Sequence, residues 1–266
     1  VTVPIRQWSL EVVPVSGRTL IVEGHRVVFS AHEGGSSPGC KLTMDNPPPG
    51  MVDLLAAPGT LCRWLAGTDE AVEVARGEVV QRSIQHDTQG ATHTAAWEIT
   101  PYAGQVALTT LAEVVSGPVG SAELIETVRK TIGLAADVID VAAPISYQWG
   151  YVLEGSALRT LQTLVREAGS QMEIVAGRLR VWPLGKRATS KVDVWTSDTG
   201  LLSVQRGFGA DAPISASVQL RPAVRVGDVV RIESDTYTGD VIVREVTHSG
   251  DTRGDSWQTT IIGAAA

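Results

Sequence analysis

The 266-residue chain has only two cysteines, Cys40 and Cys62, and no Cys-x-x-Cys or similar spacing. A metal ribbon or a disulfide framework is therefore excluded. One bridge between the two thiols stays open, but two lone cysteines in a reducing compartment read more simply as small apolar residues. Basic residues are also scarce: 22 Lys and Arg stand against 29 Asp and Glu, a net charge of −7. A general nucleic-acid binder needs a basic footprint, and none is present. Aromatics make up 5% of the chain, too few for a platform that stacks single-stranded bases. No apolar run reaches the roughly 18–20 residues of a membrane-spanning helix. The opening "VTVPIRQWSL" lacks the charged-then-apolar order of a secretory leader. The expectation is a soluble chain folded inside a cell.

Catalytic motifs are missing too. There is no GxxxxGK[ST] or GxGxxG for phosphates, and the GxSxG spacing occurs once, at Gly35-Ser36-Ser37-Pro38-Gly39, inside a loop by composition and not on a strand-to-helix elbow that would activate a serine. Ser36 and Ser37 sit in a glycine-rich loop near His32 and Glu33, which is proximity in sequence only. His86 and His93 fall on opposite arms of an expected hairpin, with Asp87 beside one of them. Nothing in that spacing forces two or three ligands onto one face, as a metal would need. Nothing marks Cys62 as an activated thiol. The sequence thus predicts no catalytic, cofactor-binding or metal-binding residue, no cofactor and no enzyme.

What is present is β-type patterning. Hydrophobic residues are 43% of the chain and charged residues 19%, the balance of a folded protein. Residues 1–105 read as a meander of six or seven strands. The run "DNPPPG" stops one of them, since proline lacks the amide donor a central strand requires. From Ser197 to Gly263, β-branched runs alternate with Gly227-Asp228, Gly239-Asp240, Gly250-Asp251 and Gly254-Asp255. Glycine supplies positive φ and aspartate caps its own turn, so these aspartates read as turn formers. The terminal "AAA" has no reason to be ordered.

Residues 106–187 differ. Ser121 is placed to cap a helix through Ile132, with Leu124, Ile125, Val128 and Ile132 on one face and Glu126 paired with Lys130. A second helix fits Ser156 to Ala168, stopped by Gly169. "SQMEIVAGRLRVWP" then alternates as a β-hairpin. The fold class is mainly β with a small α/β insert. Two β-barrel-like domains, 1–105 and 188–266, flank a helix–hairpin domain, 106–187. Tyr147, Trp149 and Tyr151 alternate, so on a strand they share one face. That stripe suits core, subunit contact or a sugar platform.

The last section also carries a family resemblance. Its residues are Thr199-Gly200-Leu201-Leu202, Leu220-Arg221-Pro222, Gly227-Asp228, Val230, Ile232 and Ser234, then Val246, His248, Gly250-Asp251, Gly254, Trp257 and Thr259. In that order they resemble the closing domain of phage baseplate hub and tail-tip hub proteins. The segment "LRTLQTLVREAGSQMEIVAGRLRVWPLG" is similar to the family's middle domain, and "EVARGEVVQRSIQHD" loosely resembles its early strand pair. Ser203 stands where the family has a second glycine. The resemblance implies a homotrimer whose paired barrels form a near-sixfold ring. The ring would join the tail tube and distal tail protein above to a spike or tip below. It implies that tape measure protein and DNA pass without specific binding, and that the chain is assembled in the host cytoplasm and resides in the virion. An acidic passage would suit the charge of −7. The rival readings are a carbohydrate-binding tail module using Tyr147, Trp149 and Tyr151, a tail-associated hydrolase, and an oligonucleotide-binding barrel.

Overall fold

The computed structural model describes residues 6–34, 39–86, 93–100, 109–175, 177–188, 192–207 and 212–266, with backbone alone at 81–86. In chain order, β1 (Gln7–Val13), β2 (Leu20–Val22), β3 (Val27–Glu33) and β4 (Gly39–Asp45) precede a short helix, α1 (Met51–Ala56). Then come β5 (Leu61–Gly67), β6 (Val72–His86) and β7 (His93–Thr100). The middle of the chain holds β8 (Thr110–Val115), β9 (Val119–Gly120), α2 (Ser121–Thr131), β10 (Ala135–Ile139), β11 (Ser146–Tyr147), β12 (Tyr151–Ser156), α3 (Ala157–Glu167), β13 (Ser170–Val175) and β14 (Arg178–Pro183). The last part holds β15 (Val192–Trp195), a 3₁₀ turn at Ser197–Thr199, β16 (Leu201–Arg206), β17 (Ile214–Gln219), β18 (Val229–Glu233), β19 (Thr238–Asp251) and β20 (Trp257–Ala265).

These elements form two compact units, Val1–Pro101 with Lys191–Ala266, and Tyr102–Ser190. In the first unit the strands join one sheet in the order β16-β17-β20-β19-β3-β4-β7-β6-β5-β1-β2, with β15 and β18 attached beside β19. The sections expected at 1–105 and 188–266 meet where β3 pairs antiparallel with β19, Val246 opposite Glu33 and Asp251 opposite Val28. The core follows the period-two pattern. Leu10, Val12, Phe29, Leu42, Met44, Trp64 and Ile99 are buried together, and Leu220 and Trp257 from the last section enter the same cluster.

Three expectations in this unit need correction. The segment after the prolines is the helix α1, with Met51 and Leu55 buried one turn apart. That i,i+4 pair is the period a six-residue helix needs to reach the core. The terminal alanines are ordered: Ala265 pairs with Val241, and the Ala266 amide donates to the Asp240 carbonyl at 3.0 Å. Gly239-Asp240 and Gly250-Asp251 lie inside β19 and not in turns. A Cβ on Gly250 would stand 2.6 Å from the Trp257 ring and 2.8 Å from the Phe29 ring, so this glycine makes room for aromatic packing. Gly227 does behave as a turn glycine, with φ 85° between Arg225 and Asp228.

In the second unit α2 and α3 pack with the β10-β14-β13 sheet, and β8 pairs with β12 as a separate ribbon. Ser156 caps α3 by accepting from the Arg159 amide. Ser121 does not cap α2. Gly120 holds that position, and the buried Ser121 hydroxyl instead accepts from the Ile145 amide at 3.0 Å, tying down the strand before the Tyr147 turn. Lys130 meets Glu126 at 3.4 Å as expected, but Arg129 holds the same carboxylate at 2.5 Å. On the hairpin, Glu173 and Arg180 sit directly opposite each other and both are buried, although alternation placed them outward. Arg180 also reaches Asp137 at 3.4 Å.

Candidate functional site

Four of the family-like residues of the last section, Arg221, Asp228, His248 and Thr259, join one buried polar seam beside the β3–β19 pair. Arg225 is its hub. One guanidinium nitrogen, Nη1, lies 3.0 Å from Glu33 Oε1 and 3.1 Å from His248 Nε2, while Nη2 donates to the Glu73 carbonyl at 2.7 Å. Guanidinium cannot accept a hydrogen bond, so His248 Nε2 is the acceptor and its proton sits on Nδ1. Nδ1 then donates to Thr259 Oγ1 at 2.9 Å, and the same oxygen accepts from the Arg221 amide at 2.8 Å. Burial first, and Arg225 second, hold the imidazole well below its usual titration range. His248 is therefore a neutral structural group. Asp228 fixes the loop by accepting from the Arg225 amide at 2.8 Å.

A second joint lies one turn along. Arg26 donates to Asp251 through Nη2 at 2.7 Å and Nε at 3.1 Å, and the Arg253 amide adds a third bond at 2.9 Å. Arg26 is the chief reason the Asp251 carboxyl is held down at about 2. Trp257 packs edge-on to Phe29, ring centroids 5.4 Å apart. The Leu220 amide donates to the Trp257 carbonyl at 3.0 Å. Each of these residues types reads as a turn former or a core group in isolation. Together they bond strands of the first section to strands of the last. Glu33, Glu73 and Arg225 complete the seam, and sequence reasoning missed them because nothing local distinguishes a lone Glu or Arg.

A cleft of about 280 Å³ opens nearby in the same unit, lined by Asp69, Glu70, Asp193, Arg221, Pro222 and Asp228 among others. Among the described residues no His, Cys, Asp and Glu group could hold a metal. His86 and His93 are paired in backbone register, while Asp87, Ser36 and Ser37 lie outside the described residues. Cys40 and Cys62 are buried free thiols, and burial pushes Cys62 up to about 12, which leaves it protonated and unreactive.

The aromatic stripe is in the second unit and is not one strand. Tyr147 ends β11 and Tyr151 begins β12, with a tight turn between them closed by the Gly150 amide donating to the Tyr147 carbonyl at 3.2 Å. Gly150 has φ 87°, and a Cβ there would strike the Val115 carbonyl oxygen. The two tyrosines therefore meet each other, edge-on at 4.7 Å, and the Tyr147 hydroxyl donates to Glu167 at 3.1 Å. Burial, then Glu167, pushes the Tyr147 phenol up to about 12. Trp149 at the turn's tip is 98% exposed. On the β8–β12 ribbon, Val114 and Val152 stand opposite each other, 69% and 56% exposed.

Comparison with known structures gives this architecture a context. A tail protein from Neisseria meningitidis superposes with a TM-score of 0.63 at 11% identity, covering 97% of this chain and 96% of its own. A prophage 43 kDa tail protein from Shewanella oneidensis matches with 0.63 at 12% identity, covering 97% of both chains. The fold is that of phage and prophage tail proteins. An Escherichia coli type VI secretion component, itself described as structurally similar to phage T4 tail proteins, matches with 0.60 at 9% identity over 91% of this chain and 73% of its own. No protein-family model and no curated protein matches the sequence. The mainly β class with a small α/β insert agrees with this tail-protein fold.

Proposed function

We propose that the chain is a structural hub of a phage-type tail. Three copies would form a ring of near-sixfold symmetry that joins the tube to the central spike or tip and leaves a passage for DNA and tape measure protein. The observation that carries this reading is the likeness of nearly the whole chain, end to end, to tail proteins. The division into two barrels at 1–105 and 188–266 belongs to the same proposal. In it, the buried seam around Arg225 holds the pair together, so the two barrels present a fixed spacing to their neighbours. No reaction is assigned to the chain. Its place of action is the virion, after assembly in the host cytoplasm.

The test is the mass of the purified chain by light scattering, with and without its tail neighbours, followed by imaging of the particle. A threefold ring at the tube's end is the expected result. A chain that stays monomeric with its neighbours present, or that is absent from the particle, overturns the proposal. Glycan binding through the aromatic turn is a second reading, supported by the exposure of Trp149. It is weakened by the edge-on contact of Tyr147 with Tyr151, which leaves one ring and not three to a sugar.

A further inference from the structure

The large sheet of the first unit repeats a four-stranded pattern. β3-β4-β7-β6 and β16-β17-β20-β19 are each two hairpins laid side by side, antiparallel throughout and in the same order. The match reaches single residues. A register shift interrupts β6–β7 between Val79 and Gln81, and β19–β20 between Val243 and Glu245. At each shift the strand bonds the segment that leads into β5 or β18. The Val79 amide donates to the Thr60 carbonyl at 3.1 Å, and the Val243 amide to the Asp228 carbonyl at 2.9 Å. Val79 thus corresponds to Val243, and Ile84 to His248. Past the shift the two halves differ. β19 leaves β18 after Ile242 and takes up β3 on the same side, from Val246 to Asp251. β6 leaves β5 after Glu78, and among the described residues no strand pairs with its edge at 81–86 on that side. At the far end of the sheet β16 has one strand neighbour, β17. Its Gly207 amide donates to the Pro213 carbonyl at 3.1 Å, so by alternation the Val204 and Arg206 amides point to the open side.

We propose that β16 of one copy adds antiparallel to this bare edge of β6 in a second copy, in the register β3 makes with β19, with Gln205 opposite Gln85 and Val204 opposite His86. This deepens the hub reading above and rests on it. The chain itself selects the occupant. β16 is the counterpart of β3, and β3 already fills the edge of β19 that corresponds to the bare edge of β6. Within one chain β16 and β6 are separated by six strands of the sheet and do not pair, so a second copy supplies the strand. The two edges differ, which makes the contact head-to-tail, and such contacts close into rings or run on as filaments. The joint between copies lacks the polar lock of the joint within one. Where the seam has Arg225 and His248, the corresponding positions hold Ala57 and Ile84, so backbone bonding carries it.

The experiment places Gln85→Cys and Gln205→Cys together in the full chain, with its tail neighbours present, and oxidises it. In the proposed register both residues turn their own amides away from the joint, to β7 and β17, and opposed residues of that kind bring their side chains closest. Cys40 and Cys62 are buried and stay out of the reaction. The expected product is a chain-to-chain disulfide, about tenfold or more above that of Gln85→Cys with Arg206→Cys, since a slip of one residue sends the side chain to the other face. Mixing the two single variants should give a linked dimer that neither gives alone. Val204→Pro or Arg206→Pro removes one outward amide and should cut the yield by a similar factor, with circular dichroism showing the chain still folded. A Gln205→Cys homodimer means that β16 pairs with itself. An oligomer without the Gln85–Gln205 link, or one whose link ignores both the slipped register and proline in a folded chain, means that copies meet elsewhere. Each of these overturns the proposal and leaves the hub reading standing. A chain that light scattering finds monomeric with its neighbours present overturns both.

Discussion

The seam around Arg225 and the turn that carries Trp149 use similar materials in opposite ways. Both combine a positive-φ glycine, aromatic rings and a carboxylate. In the seam every polar group turns inward: Arg225, His248, Thr259 and Asp228 bond one another, and Phe29 and Trp257 fill the space beside them. At the turn the bonded groups form a base, and the largest apolar side chain points away from it. Buried polar networks specify a single geometry but leave nothing for a partner to grip. An exposed ring on a stiff turn adds little to its own fold and much to a contact. The part of the sequence resemblance that lies in the seam transmits how the unit is held, and not what the unit touches.

The sharpest way to break this contrast is to cut the hub of the seam. Arg225→Ala removes the guanidinium that stands 3.0 Å from buried Glu33 and takes from His248 its donor. Removing one partner of a buried pair costs about 3–5 kcal/mol. Urea denaturation should show the midpoint falling accordingly, with the transition of residues 191–266 and 1–101 affected first. A midpoint within about 0.5 kcal/mol of the parent would mean that the seam is incidental to stability.

Next in size is Gly250→Ala. The added methyl would need the space of the Trp257 and Phe29 rings, and overpacking of this kind costs about 1–3 kcal/mol. Near-ultraviolet circular dichroism should change with it, since both rings would tilt. A neutral substitution with an unchanged aromatic spectrum would show that Gly250 is there for its backbone alone.

The contrast also explains what could be read from the sequence. Period-two alternation located β13 and β14, and the run from Ser156 stopped by Gly169 located α3, because those signals are local. The pattern from Leu220 to Thr259 identified the tail-protein fold through residues whose roles were misread. Gly250-Asp251 was taken for a turn, when Gly250 serves ring packing and Asp251 serves Arg26 across the sheet. Such partners are about 225 residues apart in the chain, and no window of sequence contains both. The Tyr147–Tyr151 alternation failed for a different reason. One glycine with positive φ, Gly150, converts an apparent strand into a turn.

Acid should separate the two regions again, by a smaller margin. His248 is neutral when folded and its pKa is depressed, so the unfolded chain binds a proton that the folded chain refuses. Its contribution is full above the ordinary histidine pKa of about 6.5 and declines as pH falls. Between pH 6.5 and 5.5 one such group removes about 1 kcal/mol. His248→Gln can accept from Arg225 and donate to Thr259, so it should flatten that decline while changing stability little at pH 8. Asp251 follows at lower pH. Its folded pKa of about 2 means the stability from Arg26 is full above the usual carboxylate range and is lost as pH falls towards 2. Asp251→Asn should remove the acid sensitivity in that window. A parent and a His248→Gln variant with identical pH profiles from 8 to 5 would place the neutral imidazole in doubt.

The smallest expected effect is the most telling. Trp149→Ala removes the largest aromatic side chain type there is, yet at 98% exposure the indole has almost no area to lose from its own core. Stability should stay within about 0.5 kcal/mol of the parent, as for surface substitutions that touch no cap, cavity or buried bond. Gly150→Ala, one residue on, meets both the Val115 carbonyl and an unfavourable φ of 87°, and should cost about 1–3 kcal/mol. The pair, measured by the same denaturant titration, sets a scaffold residue against the group it presents. If Trp149→Ala proves as costly as Gly150→Ala, the indole belongs to the fold of the second unit and the turn is core after all. If only the glycine matters, the tryptophan is free to be selected by whatever docks on it.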